Sequence, residues 1–186
     1  MLSSPAMEAK PAVLAKLGRP EPSEHAPYYA RYVDLVPDGP IVDLLRGQIR
    51  DTLDLIRGLP DSKADHAYAP GKWTIRQVVG HVADAERVFS YRALRFGRRD
   101  DTQLPGFEEN DYAREGGFGA RALRHLADEL EAVRRATVLL FEGFDDGAWL
   151  RKGVASSNPV SVRALAYIIA GHERHHVKVL RERYLA

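Results

Sequence analysis

Apolar residues recur at helical spacing in four stretches of this chain, and no stretch shows the sustained alternation of a strand. The first stretch carries Ile41, Leu44, Leu45, Ile49, Leu53 and Ile56 up to a Gly58-Leu-Pro60 stop. The second opens on Thr74-Ile-Arg-Gln77, a threonine followed three residues later by glutamine, which is the capping-box signature of a helix start. Its inner stripe is Val78, Val82, Ala85 and Phe89, with Ile75, Val79 and Val88 beside it and Gly97 as a stop. The third begins near Arg121 and turns Leu123, Leu126, Leu130, Val133, Thr137, Leu140 and Phe141 inward before Gly143. The fourth has Ser161 as N-cap and runs to Tyr184. Four amphipathic helices predict an all-α four-helix bundle over residues 41–186.

What lies between the helices modifies this picture little. Residues 1–40 hold seven prolines, too many for a long helix, and predict an arm laid over the bundle with one short turn around Val13–Leu17. Tyr28, Tyr29 and Tyr32 are the residues expected to pack it down. Residues 98–118 form a connection of about 20 residues, long for a compact domain, where such loops are commonly lids or crossovers. Residues 144–160 read as a further connector.

Polar residues inside the apolar stripes carry the candidate chemistry. In the fourth helix His172 and His176 continue the Leu165, Ile168, Ile169 face, one turn apart and pointing the same way. Burying two adjacent imidazoles among Leu and Ile demands partners, and a metal ion satisfies both. His81 lies within the inner stripe of the second helix, between Val78 and Ala85. His81, His172 and His176 therefore form the natural triad, and three imidazoles leave a position open, as catalytic metal sites do. The pair His172/His175 is geometrically possible too, although His175 falls further from the stripe. Core histidines satisfied by hydrogen bonds are the structural alternative. Asp84, three residues after His81, is placed to ligate, to orient a ligand or to act as general base. Glu86 and Glu173 are rotated away from the neighbouring histidines and read as acids on exposed faces, and His25, His66 and His125 read as surface. Trp73 and Trp149 are expected at the edge of the core, and Tyr91 and Arg92 at a pocket mouth, in packing contacts or on a solvated face.

Bulk properties narrow the function classes. With 27 basic and 26 acidic residues the net charge is +1, and no dense Lys/Arg block marks a nucleic-acid or anionic surface. There is no cysteine, so disulfides, thiolate-held zinc and cysteine nucleophiles are excluded, and any metal must be held by His, Asp or Glu. No apolar run approaches a membrane span and no signal pattern opens the chain, so a cytoplasmic protein without membrane partner is expected.

Pro70-Gly-Lys-Trp-Thr-Ile-Arg-Gln-Val-Val-Gly-His81-Val-Ala-Asp-Ala-Glu-Arg87, together with Ala170-Gly-His172-Glu-Arg-His-His176, resembles the DinB/YfiT-like superfamily over about residues 41–184. The resemblance implies an up-up-down-down or related bundle, a divalent metal (zinc or nickel) on His81, His172 and His176, and a homodimer. It implies no single reaction, since similar chains include S-transferases using a low-molecular-weight thiol, a thiol-dependent isomerase and hydrolases. The expected function is a metal-dependent enzyme acting on a small-molecule substrate, of thiol transferase or hydrolase type. The alternative is a non-catalytic, metal-stabilised stress-response or binding bundle.

Overall fold

The computed structural model describes residues 18–186, so the turn expected at Val13–Leu17 lies outside the described residues. Four long helices form the body: α2 (Ile41–Arg57), α3 (Ile75–Gly97), α5 (Leu123–Glu142) and α7 (Val162–Val179), the last continuing as a π turn over Leu180–Tyr184. The short helix α1 (Ala30–Val33) precedes them, and between them lie α4 (Glu109–Glu115), α6 (Asp146–Leu150) and a hairpin of β1 (Lys152–Ala155) and β2 (Asn158–Ser161). The hairpin pairs antiparallel with Ala155 opposite Asn158, and it occupies a stretch that alternation did not reveal as strand. Both expected caps are present. The Gln77 amide donates to Thr74 Oγ1 at 3.3 Å while the Thr74 amide donates to Gln77 Oε1 at 2.9 Å. The Ala164 amide donates to Ser161 Oγ at 2.9 Å.

Cross-helix contacts fix the directions. Arg57, at the end of α2, bonds Asp128 near the start of α5, whereas Arg46 near the start of α2 pairs with Glu142 at the end of α5, so these two are antiparallel. Arg76 and Arg121, both at helix starts, meet through the Arg76 guanidinium and the Arg121 carbonyl, so α3 and α5 run parallel. Tyr184 donates to the Trp73 carbonyl at 2.6 Å, setting α7 antiparallel to α3. The order is therefore up-down-down-up, one of the related arrangements rather than up-up-down-down. It also explains the long 98–118 connection: parallel neighbours need a crossover that carries the chain back along the bundle.

The apolar interior falls into two clusters. One gathers Leu45, Phe89, Phe96, Phe141 and Trp149; the other gathers Ile49, Leu53, Ile75, Val78, Leu126 and Leu130. Between them lies a polar layer. Arg134 donates through Nε and Nη2 to Glu86 at 2.8 Å each, through Nη2 to Glu173 at 2.8 Å, and through Nη1 to the Leu45 carbonyl at 3.0 Å. Thr52 Oγ1 donates to Glu173 at 2.5 Å, and Gln48 also bonds it. All four long helices contribute. Glu86 and Glu173 are thus 2% and 1% exposed rather than surface acids, because each is half-neutralised by an arginine on another helix. Burial alone would lower the Arg134 pKa, but the two carboxylates more than reverse this and raise it.

Residues 18–36 are fitted to the bundle. The Tyr32 carbonyl lies over Gly171, where an added Cβ would come within 1.9 Å of it, so only glycine lets α1 approach the histidine helix this closely. Glu24, buried, accepts from Ser161 Oγ at 2.6 Å and from Arg163 Nε at 3.1 Å. Burial pushes the Glu24 carboxyl upward, but those hydrogen bonds prevail and hold it at about 2. His25 is buried with its Nδ1 against the Ala26 carbonyl at 3.0 Å, in contrast to the surface position expected; His66 and His125 are exposed.

Candidate metal centre

α3 and α7 are antiparallel neighbours, and their apolar stripes carry His81, His172 and His176 to one point. His81 Nε2 lies 3.0 Å from His172 Nε2, which lies 3.1 Å from His176 Nε2. The three ligand atoms all fall within 4.8 Å of one another. His81 and His172 are buried and His176 is half-buried. Burial lowers the His81 pKa to about 4, and it lowers His172 and His176 well below the ordinary value, their neighbours' charges adding to the effect. The cluster is neutral at pH 7.

Neutral imidazoles cannot satisfy this arrangement among themselves. Each Nε2 carries either one proton or one lone pair, and the His172 Nε2 meets two others, so only one of the two contacts can be a full hydrogen bond. His81 Nδ1 is also buried without a hydrogen-bond partner. Three lone pairs directed at one cation remove the Nε2 conflict. Ligands of a tetrahedral zinc site stand about 3.4 Å apart, a few tenths more than the contacts here. The donor set therefore fits a divalent ion.

Aromatic rings enclose the cluster. Trp73 packs on His81 at 4.6 Å between ring centroids and stacks near His176 at 6.4 Å; Tyr32 stands edge-on to His172 at 5.3 Å and Phe89 at 6.1 Å. Trp73 is thus a wall of the site, while Trp149 belongs to the core, stacked on Phe141. His175 is half-buried against Tyr32 and outside the converging group. On the open side of His81 and His172 is a cavity of about 100 Å³, lined also by Tyr29, Phe107, Glu109 and Ser156. Its walls come from the arm, the crossover and the hairpin. No periodicity marks such residues, although the two serines at the turn of a strand pair are a signal of sorts: Ser156 and Ser157 have φ of 51° and 63°, a conformation usually given to Asn or Gly.

Asp84 faces elsewhere. Its carboxylate accepts from Arg87 Nη1 at 3.1 Å, and Arg87 bonds Glu129, placing Asp84 in an ion-paired patch between α3 and α5. Burial raises its pKa, with Arg87 opposing. Tyr91 is exposed and bonded to Arg95, whereas Arg92 is buried beside the cavity.

Two proteins of known sequence resemble this chain. A Geobacillus kaustophilus (strain HTA426) protein named "Putative metal-dependent hydrolase GK0616" is 27% identical over 146 residues, covering 75% of this chain and 81% of its own. A metal-dependent hydrolase, named with the same qualifier, from Geobacillus thermodenitrificans (strain NG80-2) is 26% identical over 137 residues, covering 69% and 75%. Among solved structures, YfiT from Bacillus subtilis, "a probable metal-dependent hydrolase with an unusual four-helix bundle topology", superposes with a TM-score of 0.63 at 16% identity, covering 89% of this chain and 94% of that one. That likeness shows a shared fold. Among the described residues no helix is long and apolar enough to cross a membrane. The pattern of the DinB superfamily matches residues 44–180, from the first long helix to the last, and this chain belongs to that superfamily.

Proposed function

We propose that this protein is a metal-dependent hydrolase of small molecules, with a divalent ion, zinc or nickel, held by His81, His172 and His176. The observation that carries the proposal is the convergence of three neutral Nε2 atoms, two on buried rings and one on a half-buried ring, whose mutual contacts cannot all be hydrogen bonds. When bound, the ion supplies Lewis-acid polarisation of a carbonyl or of water at neutral pH. The chain's own residues do the rest. Tyr29, Tyr32 and Phe89 exclude bulk water from one side, which strengthens electrostatic interactions inside. Glu109, half-buried on the cavity wall, is better placed than Asp84 to accept the proton that water loses as it attacks a carbonyl carbon, since Asp84 is engaged with Arg87.

Hydrolysis is favoured over thiol transfer by the size of the cavity, about 100 Å³, which leaves little room for a thiol cosubstrate beside a second substrate. The names of the two Geobacillus relatives agree with that choice. Elemental analysis of untagged protein tests the reading: one divalent ion per chain is expected, lost in His81→Ala, His172→Ala and His176→Ala but kept in His175→Ala. Metal-dependent cleavage of an activated ester should follow the same pattern. No uptake of zinc or nickel on titration would sink the proposal.

A further inference from the structure

Arg92 is 3% exposed, yet among the described residues no carboxylate lies within ion-pairing distance of it. A buried cation ordinarily requires a counter-charge, as Arg134 shows with two. Arg92 instead bonds neutral oxygens. Its Nη2 donates to the Pro105 carbonyl at 3.0 Å and to Ser156 Oγ at 3.0 Å, and its charge acts on the Tyr29 hydroxyl, opposing the rise in pKa that burial imposes there. The guanidinium lies 5.7 Å from the Phe89 ring centroid and 6.0 Å from that of Phe107. Tyr29, Phe89, Phe107 and Ser156 all line the cavity that opens onto His81 and His172.

Ser156 adds an independent sign. It sits with Ser157 in the two-residue turn between Ala155 and Asn158, and both serines have the left-handed backbone that a glycine or asparagine adopts more readily. A strained residue whose hydroxyl is aimed at a buried guanidinium is kept for its side chain rather than for its turn.

We infer that Arg92, Ser156 and Tyr29 form an anion subsite that holds the carboxylate of a small substrate beside the histidine centre. This rests on the hydrolase reading for the ion, but the subsite stands on its own geometry. One guanidinium, a cavity of about 100 Å³ and the nearby Glu109 suit a single negative charge rather than a dianion such as phosphate. Glu109 is the like-charged neighbour that a bound carboxylate would feel.

The test is titration of the full chain, metal-loaded and after chelation, with propionate and with its uncharged counterpart propionamide, read by calorimetry and by the Arg92 Nε–H signal in NMR. Wild-type protein should bind propionate at least roughly tenfold more tightly than propionamide. Arg92→Gln should abolish that preference while metal content is retained, and Glu109→Gln should strengthen propionate several-fold and leave propionamide alone. Ser156→Gly should weaken propionate while raising the melting temperature. Equal binding of the two probes by the wild type overturns the proposal, and so does a preference that persists in Arg92→Gln, which would place the carboxylate on the ion. If Arg92→Gln does not fold, Glu109→Gln decides, and an unchanged propionate affinity there overturns the subsite. Failure of the wild type to take up metal would end the hydrolase reading alone, because the propionate-to-propionamide ratio on chelated protein still judges Arg92.

Discussion

Two polar clusters stand next to each other in this bundle, built from the same helices, and they are satisfied to very different degrees. Around Arg134 every buried carboxylate has donors: one guanidinium is shared by Glu86 and Glu173, and Thr52 and Gln48 close a network that ties four helices at one level. Around His172, one residue before Glu173, three imidazoles crowd together with two close Nε2 contacts that cannot both be hydrogen bonds. The contrast teaches how to tell structure from chemistry inside a core. A closed network fixes register and offers nothing to a ligand; an open one leaves ring nitrogens whose needs its neighbours do not meet.

Breaking the closed cluster should have the largest effect. Arg134→Met leaves two carboxylates buried without their cation, and a loss of about 3–5 kcal/mol is expected in urea unfolding. Replacing Glu86, Arg134 and Glu173 together by apolar residues of similar volume should recover most of it. An effect under about 1 kcal/mol for the single variant would mean that the network is not dry. Next in size is the open cluster. Zinc at a hundred times its dissociation constant should add about 2.7 kcal/mol to wild-type stability and nothing to His172→Ala. The metal-free protein should weaken as pH falls from 6.5 towards 4, because the folded-state pKa of His81 is depressed to about 4 and the unfolded chain binds the proton first.

A third prediction concerns the arm. The Glu24 carboxyl sits at about 2 against an ordinary 4.5, so its stabilisation is fully present above pH 4.5 and is lost as pH falls towards 2. The loss is roughly 2–3 kcal/mol. Glu24→Gln should remove this acid limb and render residues 18–36 sensitive to protease at neutral pH; an unchanged acid profile would show that the latch carries little weight. The smallest effect is expected of Ser157→Gly, which relieves a left-handed φ of 63° at an exposed position and should stabilise by about 1 kcal/mol. Metal content and propionate affinity should not change with it.

How much of this was legible in the sequence follows from which interactions are local. Helix periodicity placed His81, His172 and His176 on inward faces, and the Thr74 and Ser161 caps were local patterns too, so all of these could be read directly. Glu86 and Glu173 looked like solvated acids because what neutralises them, Arg134, is 48 and 39 residues away on another helix. The same limit hid Glu24, whose partners are Ser161 and Arg163. Cavity residues such as Tyr29, Phe107, Glu109 and Ser156 lie on irregular segments with no repeating spacing, and only the course of the crossover and of the arm brings them together. Gly171 stands within the histidine motif, yet its reason, the Tyr32 carbonyl, is a tertiary contact.

The separation of His81 and His172 along the chain, 91 residues, has a consequence beyond chemistry. An ion gripped by both would cross-link the polypeptide, enclosing the crossover, the whole of α5 and the hairpin in one loop while leaving the arm and α2 outside it. Closing a loop of that length limits the unfolded chain in the manner of a long-range disulfide, which is how a chain with no cysteine can still be stapled. Thermal unfolding of the loaded protein should then divide along that boundary, with α2 and the arm exchanging their amide hydrogens before the segment between the histidines does.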